Sequence, residues 1–117
     1  MKVSLYKKYN SVAVLKNVQV LKVLDEIGTG VYAEEIKQVR FYINDKPSRD
    51  LAKQKLPLIG FGGMFTARAN RNLKESSGLA CLDYDNLPNV LETKKLVNAD
   101  KYTFASFISP SGDGLNF

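Results

Sequence analysis

The chain has 117 residues, 44% hydrophobic and 25% charged, with 17 Lys+Arg against 12 Asp+Glu and no histidine. This is the composition of one globular domain, or part of one, with enough chain for a modest core, and it excludes wholesale disorder. Without histidine, Ser-His-Asp and Cys-His nucleophile systems, His-ligated zinc and His general bases are excluded too, leaving carboxylates, Lys, Tyr and Cys81 for any acid–base or metal chemistry.

Val3 to Tyr6 and Val12 to Leu15 read as short strands around a polar turn, Lys7 to Asn10. Leu21 to Ile27 has a helical pattern with Leu21, Leu24 and Ile27 on one stripe, and Gly28-Thr29-Gly30 stops it. Ala33 to Tyr42 is a second predicted helix, with Ile36, Val39 and Arg40 at helical spacing. Pro47 opens a basic helix through Lys55, whose Lys46, Arg49, Lys53 and Lys55 read as a solvated face. Leu56 to Ile59 is expected as a buried strand, Gly60, Gly62 and Gly63 as a mobile loop, and Asn70 to Glu75 as a short helical turn.

The last third is read as strand, helix, strand. Leu79 to Tyr84 is predicted to be a buried strand that takes Cys81 into the core. Asn89 to Asn98 is an amphipathic helix with Val90, Leu91 and Leu96 inward, and Tyr102 to Ile108 is a β-rich run. A unit of this length implies adjacent parallel strands with a right-handed crossover. Ser109 to Gly114 is then a tight turn, and Leu115 to Phe117 begins another strand, so the domain is expected to be incomplete at its C-terminal end.

Longer-range features bound the setting. The longest charge-free stretch, Leu56 to Ala67, is twelve residues with three glycines, too short to span a bilayer, and lysines interrupt the start of the chain. With one cysteine and no internal disulfide, the expectation is a cytoplasmic protein with no membrane association. Residues 1–80 carry 14 basic and 7 acidic side chains, while 81–117 carry 3 and 5. Such asymmetry fits either a polyanion-binding surface beside a carboxylate site or a solvated basic surface.

Three constellations could carry chemistry. Asp83 and Asp85 alternate on one face of a strand, with Cα atoms roughly 6.5–7 Å apart, a spacing that suits Mg²⁺ or Mn²⁺ together with substrate phosphates. The alternative is a turn-starting Asp85 and an incidental Asp83. Ser109, Ser111, Gly112 and Gly114 form either a phosphate cradle or an ordinary hairpin turn. Arg68, Arg71 and Lys74 either contact triphosphate or nucleic-acid backbone or lie on an exposed basic turn. Tyr84, on the opposite face from the aspartates, reads as a packing residue.

The order of these motifs, Leu56-Pro-Leu-Ile, Gly62-Gly-Met-Phe65, Arg68, Leu73, Ser77-Gly-Leu, Leu82-Asp-Tyr-Asp85 and Phe107-Ile-Ser-Pro-Ser-Gly-Asp-Gly-Leu115, resembles the VirE N-terminal-like domain of the archaeo-eukaryotic primase (primase–polymerase) superfamily. The resemblance implies an α+β fold: the β-α-β-β portion of an RRM-like core in residues 56–117, preceded by an N-terminal β/α part in 1–55. It implies a DNA-replication nucleotidyltransferase of mobile-element or phage type, binding metal–nucleoside triphosphate and a nucleic-acid template, with a helicase domain or partner. Asp83 and Asp85 would be the catalytic, metal-holding acids, with Mg²⁺ or Mn²⁺ as cofactor. Ser109, Ser111, Gly112 and Gly114 would contact the incoming nucleotide. Asn116 stands where many superfamily members have histidine, and the third-motif carboxylate would lie beyond Phe117. The competing readings are a catalytically incomplete nucleotide- or nucleic-acid-binding or regulatory module, and a small interaction protein.

Overall fold

The computed structural model describes residues 1–117. It is an α+β fold of about 38 × 35 × 25 Å, with four helices and small, wholly antiparallel sheets.

The first sheet is β1 (Lys2–Tyr6) flanked by β2 (Lys16–Gln19) and β3 (Leu58–Gly60). The predicted Val12–Leu15 strand is replaced by β2. Register decides this: Val3 faces Val18 and Leu5 faces Lys16, so the paired segment begins where Val12 to Leu15 ends. Val12 and Leu15 stay exposed in the long connection. Val3 packs with Val20 and Val23 in the main core, with Leu24, Ile27, Ile59 and Phe61 around them. Ser4 is fully buried yet satisfied, donating to Asn17 Oδ1 at 2.7 Å and accepting from the Phe65 N–H at 2.9 Å.

Helix α1 (Val20–Gly28) starts one residue earlier than predicted, and its buried stripe is correspondingly rotated. Val20 and Val23 turn inward and Leu21 is exposed, because β2 runs directly into the helix and sets its phase. Helix α2 (Ala33–Phe41) buries Val39 completely and packs on α3 (Lys46–Lys53). Asp45 caps α3 by accepting from the Ser48 N–H, with Pro47 in the first turn, where its missing N–H costs nothing.

The glycine-rich segment predicted as a mobile loop keeps a turn only at Phe61–Gly62: Gly60 closes β3, and Gly63 opens β4 (Gly63–Phe65), paired with β5 (Leu73–Ser76). The predicted helical turn at Asn70 to Glu75 shrinks to a 3₁₀ turn at Asn70–Asn72, since the residues after it take part in cross-strand pairing.

The third sheet has the order β6 (Asp83–Tyr84), β8 (Leu115–Asn116), β7 (Phe107–Ile108), with α4 (Val90–Asn98) against β7 and β8. The expected adjacent parallel pair does not form. The Ser109–Gly114 turn sends β8 back between β6 and β7, antiparallel to both, and a tight turn makes that pairing the short-range one. Asn89 caps α4: its Oδ1 accepts from the Glu92 N–H at 3.1 Å, and its Nδ2 donates back to Glu92.

Burial in this region departs from the sequence reading. Leu82, Leu91 and Leu96 are exposed, α4 has no buried residue, and Cys81 is exposed rather than in the core. The reason is geometric: β6 is an edge strand of two residues, and no element covers the outer side of the segment leading into it. Cys81, Leu82 and Leu96, together with Val97, Tyr102 and Phe117, line an open hollow of about 610 Å³.

Candidate nucleotide site

Three short strands put the sequence-distant motifs side by side. In the third sheet Asp83 faces Asn116, which also faces Phe107, while Tyr84 and Ile108 flank Leu115. Side chains alternate along a strand, so Asp83, Asn116 and Phe107 share one face, and Asp85, Gly114 and Ser109, each immediately outside a strand end, continue it. The other face carries Tyr84, Leu115 and Ile108, with Leu115 wholly buried and Tyr84 edge-to-face with Phe117 at 5.0 Å. Tyr84, expected to be a packing residue, makes that contact but stays exposed.

Gly114 is the centre of the polar face. A Cβ built there would lie 2.7 Å from the Tyr84 carbonyl oxygen, 2.8 Å from Ser109 Oγ and 3.3 Å from Asp85 Oδ1. A side chain at that position would fill the notch, so glycine is what lets the aspartate and serine motifs approach one another.

The turn itself is tightly bonded. Ser109 is buried, its hydroxyl accepts from the Gly114 N–H at 3.1 Å and lies 3.0 Å from Ser111 Oγ, and the Ser111 hydroxyl donates to Asp113 Oδ1 at 2.7 Å. The Gly112 N–H donates to the Ser109 carbonyl at 2.9 Å, and the Leu87 N–H donates to the Asp113 carbonyl at 2.8 Å. The last bond ties the loop directly to the segment after Asp85.

Two residues the sequence reading did not assign to the site reach it from the helices. Arg40, on α2, donates from Nε to the Pro110 carbonyl at 3.3 Å and from a terminal nitrogen to the Ser109 carbonyl at 3.4 Å. Gly112 adopts φ +86°, and a Cβ there would come within 3.3 Å of Arg40 Nε. Lys53, at the end of α3, acts on Asp83. The Asp83 carboxyl is held above its ordinary value of 3.8 first by burial and then by the Asp85 charge, with Lys53 pulling the other way. No spacing rule links Arg40 or Lys53 to either motif; only the chain's return path does. Partial desolvation by its neighbours, then the charge of Asp83, also pushes the thiol of the exposed Cys81 up, away from the reactive thiolate.

The basic trio is placed elsewhere. Arg68 donates to the Tyr9 carbonyl, across to the loop after β1, while Arg71 and Lys74 lie exposed on the β4–β5 hairpin. None of the three hydrogen-bonds to the aspartates or the serine loop. The basic run on α3 is only partly a solvated face: Lys46 and Arg49 approach Asp50 at 3.5 and 3.7 Å, and Arg49 donates to the Ile43 carbonyl.

A divalent cation would find two carboxylates here, Asp83 and Asp85, beside the Gly114 notch; no group of three His, Cys, Asp or Glu side chains comes together. Two carboxylates whose charges disfavour each other, next to an open notch, suit a cation that takes its remaining oxygens from a ligand's phosphates and from water. The residues fit the group on that basis.

No helix is long and apolar enough to cross a membrane. No curated protein and no solved structure matches the chain. A family model described as "BT4734-like, N-terminal domain" matches residues 51–117, a span that includes Lys53, both aspartates and the whole serine–glycine turn but not Arg40. The chain therefore belongs to the BT4734-like N-terminal domain family.

Proposed function

We propose that the polar face of the β6-β8-β7 sheet is the nucleotide site of a primase–polymerase-type domain with an RRM-like core, related to the VirE N-terminal-like domain and serving DNA replication in a mobile element or phage. The observation that carries this reading is the Gly114 notch, where Asp85 Oδ1 and Ser109 Oγ converge although 24 positions separate them in the chain. Asp83 and Asp85 would hold Mg²⁺ or Mn²⁺. A divalent ion there would neutralise the phosphates of a nucleoside triphosphate and draw charge from its α-phosphate. The Ser111 and Asp113 N–H groups, which the turn does not use for its own bonds, offer donors to the phosphate oxygens, and Arg40 keeps that turn in shape through its two carbonyl bonds. Asn116, directly opposite Asp83, supplies an uncharged amide where a titrating group would otherwise act.

A second reading, a nucleotide- or nucleic-acid-binding module without catalysis, is favoured by the carboxylate count. Two acids converge and no third His, Cys, Asp or Glu joins them. Both readings share the nucleotide site, so binding is tested before turnover. Mn²⁺-dependent binding of a labelled deoxynucleoside triphosphate is expected for the native chain and is expected to be lost in Asp83→Ala/Asp85→Ala. Equal binding by the double variant, or none by either folded protein, would remove the nucleotide site from both readings.

A further inference from the structure

We infer that a second groove, on the outer side of β7, is a track for the phosphate backbone of single-stranded nucleic acid. It is an open cleft of about 620 Å³ between α2 and the α4–β7 edge, floored by Ile36, Phe107 and Ile108 and ringed by Lys37, Arg40 and Lys94. No carboxylate lines it, and none of the three cations takes part in a salt bridge, although the chain carries 12 acidic side chains.

Two of these cations are held rather than trailing in solvent. Arg40 is fixed on the Ser109 and Pro110 carbonyls, and Lys94 Nζ donates to Ser106 Oγ at 2.9 Å, whose own hydroxyl donates to Asn98. A merely solvated basic surface has no need of such anchoring. Anchored cations around an acid-free groove lose less side-chain freedom when a polyanion settles there. The aliphatic side chains of the floor give unstacked bases an apolar surface.

The choice of nucleic acid over other polyanions rests on continuity with the proposed nucleotide site. Arg40 belongs to both, lining the groove and bonding the serine–glycine turn, so a strand lying in the groove ends beside the Gly114 notch. To this extent the inference rests on the nucleotide reading.

The test is fluorescence anisotropy with a labelled single-stranded oligothymidylate, with Lys37→Gln/Lys94→Gln as the groove variant and Lys7→Gln/Lys8→Gln, on the exposed loop after β1, as an equal-charge control. The groove variant should bind about tenfold or more weakly, with the slope of log affinity against log salt reduced by about 1.4, as expected for two lost phosphate contacts on a single strand. The control should stay within about twofold, as charge away from the groove makes no specific phosphate contact. Lys37→Arg/Lys94→Arg should restore binding, which separates charge from misfolding. The inference is overturned by no binding in the native chain, by equal losses in groove and control variants, or by displacement of the strand by polyglutamate as readily as by unlabelled oligonucleotide. It is also overturned if the groove variant loses free triphosphate as strongly as it loses the strand. If the strand data hold while Mn²⁺-dependent triphosphate binding is absent, the nucleotide reading fails and the groove stands.

Discussion

The two ends of the molecule use their apolar residues in opposite ways. Around the first sheet, Val3, Leu5, Tyr6, Val20 and Val23 are buried and form or border a core that β1, β2, β3 and α1 share. Around the third sheet, Leu115 and a serine are buried while Leu82, Tyr84, Leu91, Leu96, Tyr102 and Phe104 remain exposed. The first region is organised for stability. The second sets polar groups in a fixed arrangement on one sheet face, and only Leu115 beneath that face is as deeply packed as the main core. Phe61 against Phe107, with ring centroids 6.1 Å apart, and Arg40 on the serine turn connect the two regions.

The comparison breaks most readily at Leu115. Leu115→Ala should cost about 2–5 kcal/mol of unfolding free energy, as for other buried large-to-small changes, whereas Leu96→Ala on exposed α4 should stay within about 0.5 kcal/mol. Paired urea melts measure both, and equal losses would show that the third sheet is packed no differently from its surface helix.

A smaller effect is expected at the notch. Gly114→Ala drives a methyl against the Tyr84 carbonyl oxygen and Ser109 Oγ. It should cost about 1–3 kcal/mol, typical of overpacking, and abolish triphosphate binding. Retained binding by Gly114→Ala would place the ligand away from the notch. The same binding assay and a thermal melt read both parts of this prediction.

The smallest effect is electrostatic. The folded-state pKa of Asp83 lies above its unfolded value of 3.8. Between those two values the folded form binds more protons, so this group favours folding as pH falls through the window and works against it as pH rises. Its exposed position and solvent screening keep the effect to a few tenths of a kcal/mol, on the order of a surface ion pair. Asp83→Asn should therefore stabilise the protein slightly at neutral pH and remove this group's fall in stability as pH rises through the window. Urea midpoints collected from about pH 4 to pH 8, spanning the carboxylate range, would show Asp83→Asn losing stability at neutral pH instead if Asp83 were held by a partner.

Legibility followed the range of the interactions. The helices at Ala33–Phe41, Lys46–Lys53 and Val90–Asn98 were visible from periodicity and caps, since Asp45, Pro47 and Asn89 act within one turn of their own chain. The inward face of α1 is legible in part, since Leu24 and Ile27 meet the core while Leu21 does not, and on α4 Leu91 and Leu96 stay exposed, because helical spacing gives a stripe but not which neighbour it meets. The β4–β5 hairpin was obscured by glycines that read as loop when seen without their partner strand.

Residue type and order alone thus determined the α+β character, the absence of histidine chemistry, the helix positions and the identity of the Asp83, Asp85 and Ser109–Gly114 motifs. Tertiary structure decided that β8 lies between β6 and β7, that Arg40 and Lys53 approach these motifs, and that the apolar run from Leu79 to Leu82 leaves Cys81 and Leu82 exposed at a sheet edge. Helices form from contacts three and four residues apart, which a sequence displays directly. Strand order and burial depend on partners tens of residues away, which pattern and spacing leave open.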